Sequence, residues 1–183
     1  MKSLISRLGG VAFAMLPLTA CASTQPPVPR ASSVDVARYA GDWYVIASIP
    51  TRFEKEAVNA VESYRLAADG TIETRFRYRK NEATGELKTM HAKGFAHADT
   101  RNAVWGMQFV WPVKAQYVIA WLDPAYRQVI VARDKRDYVW IMSRTPTMSD
   151  ADYEALVARV AAMGYDTAKL RKVPQQWPEA STR

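Results

Sequence analysis

Between Tyr39 and Arg144, apolar and polar side chains alternate with a period of two, the pattern of strands that bury one face. Ile72, Thr74, Phe76 and Tyr78 share one side of the clearest strand; Glu73, Arg75, Arg77 and Arg79 share the other. Asp69-Gly70 precedes it as a hairpin signal, because glycine accepts the positive φ that tight turns demand. Asn81-Glu82-Ala83-Thr84-Gly85-Glu86 makes the turn that follows. Further strands are predicted over Thr89–His97, Ala103–Val110, Gln116–Leu122, Arg127–Arg133 and Tyr138–Arg144. With one strand opening at Gly41 and another ending at Leu66, the count is about eight. That is the number at which an up-and-down antiparallel barrel closes around one small ligand.

After Pro146 the period changes. Ser149, with Asp152 three positions on, is a helix N-cap. Tyr153, Leu156, Val157 and Val160 then share one helical face, and Gly164 ends the helix. A last short strand near Ala168–Val173 is placed to pair with an early one. The fold class is all-β: an eight-stranded antiparallel up-and-down barrel with one C-terminal helix packed on its wall.

Alternation does not say which side of the barrel is wet, since an outer-membrane barrel has the same period. Two features favour a cup with an apolar interior. An amphipathic helix needs a protein face to cover, and Val129-Ile130-Val131-Ala132 is apolar on both faces, as expected under such a helix. The spanning barrel stays as an alternative. By parity, the interior of the cup takes Tyr64, Phe76, Tyr78, Trp105, Met107, Phe109, Tyr117 and Trp121. These are candidate ligand contacts, or simply core.

The chain has 183 residues, enough for one domain with a proper core. Its 49% hydrophobic and 23% charged residues argue against disorder. The formal charge of +7 fits an anionic membrane or simple solubility; no nucleic-acid motif accompanies it. The start of the chain reads as an address. Lys2 and Arg7 precede an apolar stretch, Val11–Leu18, too short to span a bilayer but suited to a signal-peptide core. It runs into Leu18-Thr19-Ala20-Cys21, which resembles the lipobox of bacterial lipoproteins. That resemblance implies cleavage before Cys21 and acylation of this cysteine, the only one in the chain. A durable anchor follows, at about 0.8 kcal/mol per buried CH₂, and an anchored chain has no need to span. Ala22, where an Asp would imply inner-membrane retention, points to the outer membrane, periplasmic side. An ordinary secretory signal with an incidental cysteine is the alternative. The expected division is a signal peptide over 1–20, an acylated Cys21 with a flexible Pro-rich tether over 21–35, a domain over 36–178 and a tail over 179–183.

Three short stretches fall in a telling order. Gly41-Asp42-Trp43 opens the first strand, Asp123-Pro124-Ala125-Tyr126 joins two later ones, and Trp140-Ile141-Met142-Ser143-Arg144-Thr145-Pro146 ends another. Together they resemble the signature of the lipocalin family, and in detail the bacterial outer-membrane lipocalins and their apolipoprotein D relatives. Arg52-Phe53-Glu54 and Trp111-Pro112-Val113-Lys114 extend the match, which covers about Val36 to Trp177. The resemblance implies that Trp43 closes one end of the barrel with Arg144 packed across its ring. It makes Gly41, Trp43, Asp123, Tyr126 and Arg144 structural residues. Leu122 stands where animal members usually carry Thr. The resemblance also implies a cavity for fatty acids, lysophospholipids or similar single-chain amphiphiles.

Catalysis finds no constellation here. His91 and His97, six apart, would hold their Cβ atoms roughly 20 Å apart along a strand and cannot share a metal. There is no Gly-x-Ser-x-Gly and no phosphate-binding loop. No enzyme activity, cofactor or metal is expected; a carboxylate such as Glu62 inside the barrel would serve as a polar anchor for a head group. The rival reading is a barrel packed solid, its basic face of Arg75, Arg77, Arg79 and Lys80 meeting anionic lipid or a partner. A coloured cofactor such as haem is a third, which a colourless preparation would exclude. Nothing in the chain sets the oligomeric state, so a homodimer stays open.

Overall fold

The computed structural model describes residues 25–179; the expected signal peptide and Cys21 lie outside the described residues. A short helix α1 (Val36–Tyr39) leads into nine strands: β1 (Gly41–Ile49), β2 (Ala57–Leu66), β3 (Ile72–Lys80), β4 (Leu87–Ala96), β5 (Val104–Val110), β6 (Val113–Leu122), β7 (Gln128–Ala132), β8 (Val139–Ser143) and β9 (Arg171–Lys172). Helix α2 (Asp150–Ala162) lies between the last two. Strands β1 to β8 pair antiparallel with their neighbours and close through β1–β2, giving an eight-stranded barrel. The spacing of apolar residues dictates this, because each strand has one face for the interior and one for solvent or α2.

The β1–β2 seam is short. Only Gly41–Tyr44 pair with β2. Beyond them the C-terminal segment fills the gap: β9 pairs with Ala47 and Ser48, and Gln175 Nε2 donates to both Val45 O and Ala60 O. The late strand expected near Ala168–Val173 is therefore present and bonded to the first.

Two apolar layers result. Inside lie Trp43, Tyr64, Phe76, Trp105, Tyr117, Val129, Val131 and Met142. Outside, Val118, Ala120, Ile130, Ala132 and Ile141 pack under Leu156, Val160 and Met163 of α2 and its C-terminal turn. So β7 is buried on both faces, as its run of four apolar residues implied. Ser149 caps α2, its hydroxyl accepting from Asp152 N at 3.1 Å.

Three expectations need correction. Trp121 faces outward, against α2, where Arg159 lies over its ring at 4.8 Å. A β-bulge between Ile119 and Trp121 shifts the register and reverses the parity on which an inward placement rested. Residues 25–35 are not a free tether. Val28 and Val34 are buried, and Ala31 N–H donates to Ile119 O. The basic face of β3, expected to be open to anionic lipid or a partner in the rival reading, is partly covered: Arg77 and Arg79 pair with Glu179 at 3.0 and 3.2 Å, and Trp177 lies under Arg77.

Candidate functional site

One end of the barrel is sealed by aromatic rings. Trp43 packs on Tyr39 (ring centroids 5.0 Å apart), Tyr39 on Trp105 (5.2 Å), and Trp105 stacks on Tyr117 (5.2 Å). Trp43 Nε1 donates to Tyr39 O at 2.9 Å, so the buried indole is satisfied. Arg144 covers the plug from outside, its guanidinium 3.8 Å from the Trp43 ring centre. It also donates to the carbonyls of Arg38, Tyr39, Asp42 and Tyr126, tying the approach to β1 to the β6–β7 turn. Gly41, at φ +97°, lets the chain pass against that guanidinium. Asp123 shapes the turn by accepting Tyr126 N–H on its carbonyl and Arg127 N–H on its carboxylate. Tyr126 OH in turn accepts from Asp35 N.

Above the plug is a cavity of about 430 Å³, open at the other end and within the range of small-ligand sites. Its wall is Thr74, Phe76, Met90, Ala92, Met107, Ala115 and Tyr117; the mouth is bordered by Arg52, Phe53, Phe109, Arg133, Tyr138 and Trp140. Of the eight residues proposed from parity, Phe76, Met107, Phe109 and Tyr117 line this space. Tyr64 and Trp105 belong to the aromatic plug beneath it. Tyr78 instead holds the mouth, its hydroxyl donating to Phe53 O at 2.9 Å. Trp121 is outside altogether.

The polar groups of the cavity are few and have separate roles. Deep in the barrel a chain of hydroxyls runs Tyr39–Tyr117 (2.8 Å) and Tyr117–Tyr64 (2.6 Å), and Tyr64 OH donates to Glu62. Burial, with the Glu54 charge second, pushes the Glu62 carboxyl up to about 8, so it is protonated and neutral at pH 7. Burial also raises the hydroxyls of Tyr39 and Tyr117. Glu54 turns in from the loop after β1, accepting Thr51 N–H at 2.8 Å; burial raises its carboxyl and that bond lowers it. Nearer the mouth, Gln116 and Asp134 bond each other in both directions, at 2.6 and 2.9 Å. Arg133 Nε borders the cavity as a buried donor with no partner among the described residues, and Trp140, also at the cavity, interacts with the Glu54 carboxyl and helps to lower it.

Sequence parity missed Trp140, Arg133 and Glu54. Trp140 shares its face of β8 with the interior Met142, a signal that could have found it. Arg133, one residue past β7, keeps the inward parity of Val129 and Val131, a signal that could have found it too; Glu54 comes from a loop, where no period exists. No cluster of three or more metal-ligating side chains occurs among the described residues.

A barrel plugged at one end, with an apolar hollow open at the other, defines a class of proteins that hold small hydrophobic molecules. A lipocalin-like domain family matches residues 34–175, and the chain belongs to the lipocalin family. It is 34% identical over 171 residues to the outer membrane lipoprotein Blc of Escherichia coli, covering 92% of this chain and 96% of that one. It is 35% identical over 162 residues to temperature-induced lipocalin-1 of Arabidopsis thaliana, covering 81% and 84%. Among solved structures, insecticyanin from the tobacco hornworm superposes with a TM-score of 0.66 at 15% identity, over 84% of this chain and 87% of that one, a likeness of fold.

Proposed function

We propose that this protein is an outer-membrane lipoprotein, anchored through acylated Cys21 on the periplasmic side, that holds one single-chain amphiphile in its barrel without chemically changing it. Fatty acids and lysophospholipids are the ligands that fit. The observation that carries the reading is the hollow of about 430 Å³, walled by apolar side chains and bordered at its mouth by the buried unpartnered Nε of Arg133. An acyl tail suits the wall, and a neutral Glu62 leaves no charge deep in the barrel to repel it. A phosphate or carboxylate head at the mouth would satisfy Arg133 Nε, whose desolvated donor otherwise costs free energy although its Nη1 pairs with Asp137 at 3.2 Å. The outer-membrane lipoproteins among the relatives, and the lipobox-like run ending at Cys21, support the anchor. Storage or transport of lipid in the cell envelope follows from such a placement. The rival use of a basic outer face loses support where Arg77 and Arg79 already share the carboxylate of Glu179.

The test is displacement of a fluorescent fatty-acid probe by lysophospholipid. Displacement at micromolar lipid is expected, with Arg133→Met weakening it several-fold. A probe that stays bound, or never binds, contradicts the reading.

A further inference from the structure

The N-terminal segment runs along the barrel in the direction that returns the chain's start to the open end. Helix α1 sits at the plugged end, where Arg144 binds the carbonyls of Arg38 and Tyr39. Going backward from it, Val34 N–H donates to Arg101 O and Ala31 N–H to Ile119 O. Val28 N–H then reaches Asp134 Oδ1 at 2.9 Å, and Pro26 O accepts from Arg136 Nη2 at 2.7 Å. Asp134 and Arg136 belong to the β7–β8 loop, which contributes Arg133 and Tyr138 to the cavity mouth. Cys21 precedes Gln25 by four residues. A chain spans at most about 3.6 Å per residue, so Cys21 lies within about 14 Å of Gln25 by any path.

The same end exposes apolar surface. The β5–β6 hairpin presents Val110 at 72%, Trp111 at 82% and Val113 at 68% exposure, and Phe53 stands 60% exposed on the loop after β1. Large exposed apolar side chains gathered at one end of a barrel mark an interaction site. Its charges select the partner. The run Val110–Lys114 carries a cation and no carboxylate, and neither Lys114 nor Arg52 has an ion-pair partner among the described residues. An exposed tryptophan with a cation at the same end, here Lys114 over the Phe95 ring at 3.6 Å and Arg52 over Phe53 at 5.2 Å, is the chemistry of an anionic lipid–water boundary.

We propose that the barrel docks mouth-down on the membrane that holds Cys21, with the Val110–Val113 hairpin entering the same leaflet. This rests on the reading of Cys21 as an acylated anchor and adds an orientation to it. The cavity then opens onto lipid, and a single-chain amphiphile passes between leaflet and barrel without crossing water. The polar hairpin at Asp69-Gly70, between β2 and β3, faces away from the membrane.

The test uses the full-length chain processed in a Gram-negative host and reconstituted in phosphatidylethanolamine–phosphatidylglycerol vesicles. A bimane label is placed at Val110→Cys and, in a second variant, at Asp69→Cys. Nitroxide on the lipid chains should quench the label at 110 several-fold more than the label at 69. Equal quenching, or none at 110, overturns the orientation. Quenching at 110 by nitroxide on a second copy, and not by lipid, makes the hairpin a self-association surface and also overturns it. Thiol counting separates the anchor from the orientation: an acylated Cys21 leaves one reactive thiol per variant, whereas two would remove the anchor and the proposal together. Probe displacement in the same preparation reads the cavity, so displacement retained alongside equal quenching defeats the orientation alone.

Discussion

Glu62 is where one residue most constrains the whole. A glutamate titrates near 4.5 in the open chain and near about 8 here, chiefly because burial penalises the anion. Between those values the folded protein keeps a proton that the unfolded chain has released. Stability therefore falls as pH rises through that window, by up to about 1.4 kcal/mol per pH unit, and levels off above it. Glu62→Gln should cut the slope to the share left by Glu54 and be the more stable of the two proteins at pH 8. Urea unfolding at pH 5 and pH 8 checks this, and an undiminished slope assigns the effect elsewhere. Tail affinity should likewise weaken above pH 8 in the native protein and stay flat in the variant. Arg144 answers to a different logic. It combines a ring contact with hydrogen bonds to carbonyls from three segments, so Arg144→Met should cost about 2–3 kcal/mol. The urea midpoint should drop with an unchanged slope, and probe affinity should persist, because nothing at the mouth is touched.

Strands and helix were legible because their periods are strong. β3 alternates cleanly, and α2 starts at the serine and ends near the glycine that its sequence marks. What failed were positions at which a period breaks. The bulge in β6 inserts one residue, so Trp121 changes side with no change in composition to announce it. The approach along residues 25–35 has no period at all, and its docking depends on single residues such as Val28 finding a slot beside α2. The same limits apply to the site: wall residues on β3 and β5 were readable, as was Arg133 by the parity of β7, whereas Glu54 is delivered by a loop. Two outcomes belong to this scale. Trp121→Ala should leave probe affinity within about twofold, since it lies behind the wall; a larger loss would put it back in the site. Leu156→Ala should cost about 2–5 kcal/mol by opening a void under α2, read from the thermal midpoint.

At the scale of the whole molecule, the sheet has no staple: the chain has one cysteine, so no internal disulfide forms. Closure depends instead on the short β1–β2 seam and on the C-terminal segment bridged by Gln175. The barrel interior then divides into an aromatic plug and a hollow, a division that suits the proposed role of holding a ligand. The plug rings take up the space near Trp43, while Ala92 and Ala115 leave room higher up. Filling that room should empty the function without unfolding the barrel. The most direct measurement is calorimetric titration of the protein and of Ala92→Trp with lysophospholipids of increasing tail length. The native protein should bind one lipid per barrel, gaining up to about 0.8 kcal/mol per added CH₂ until the hollow is full, and Ala92→Trp should bind none. Affinity independent of tail length, or equal in the two proteins, would contradict a cavity-held tail.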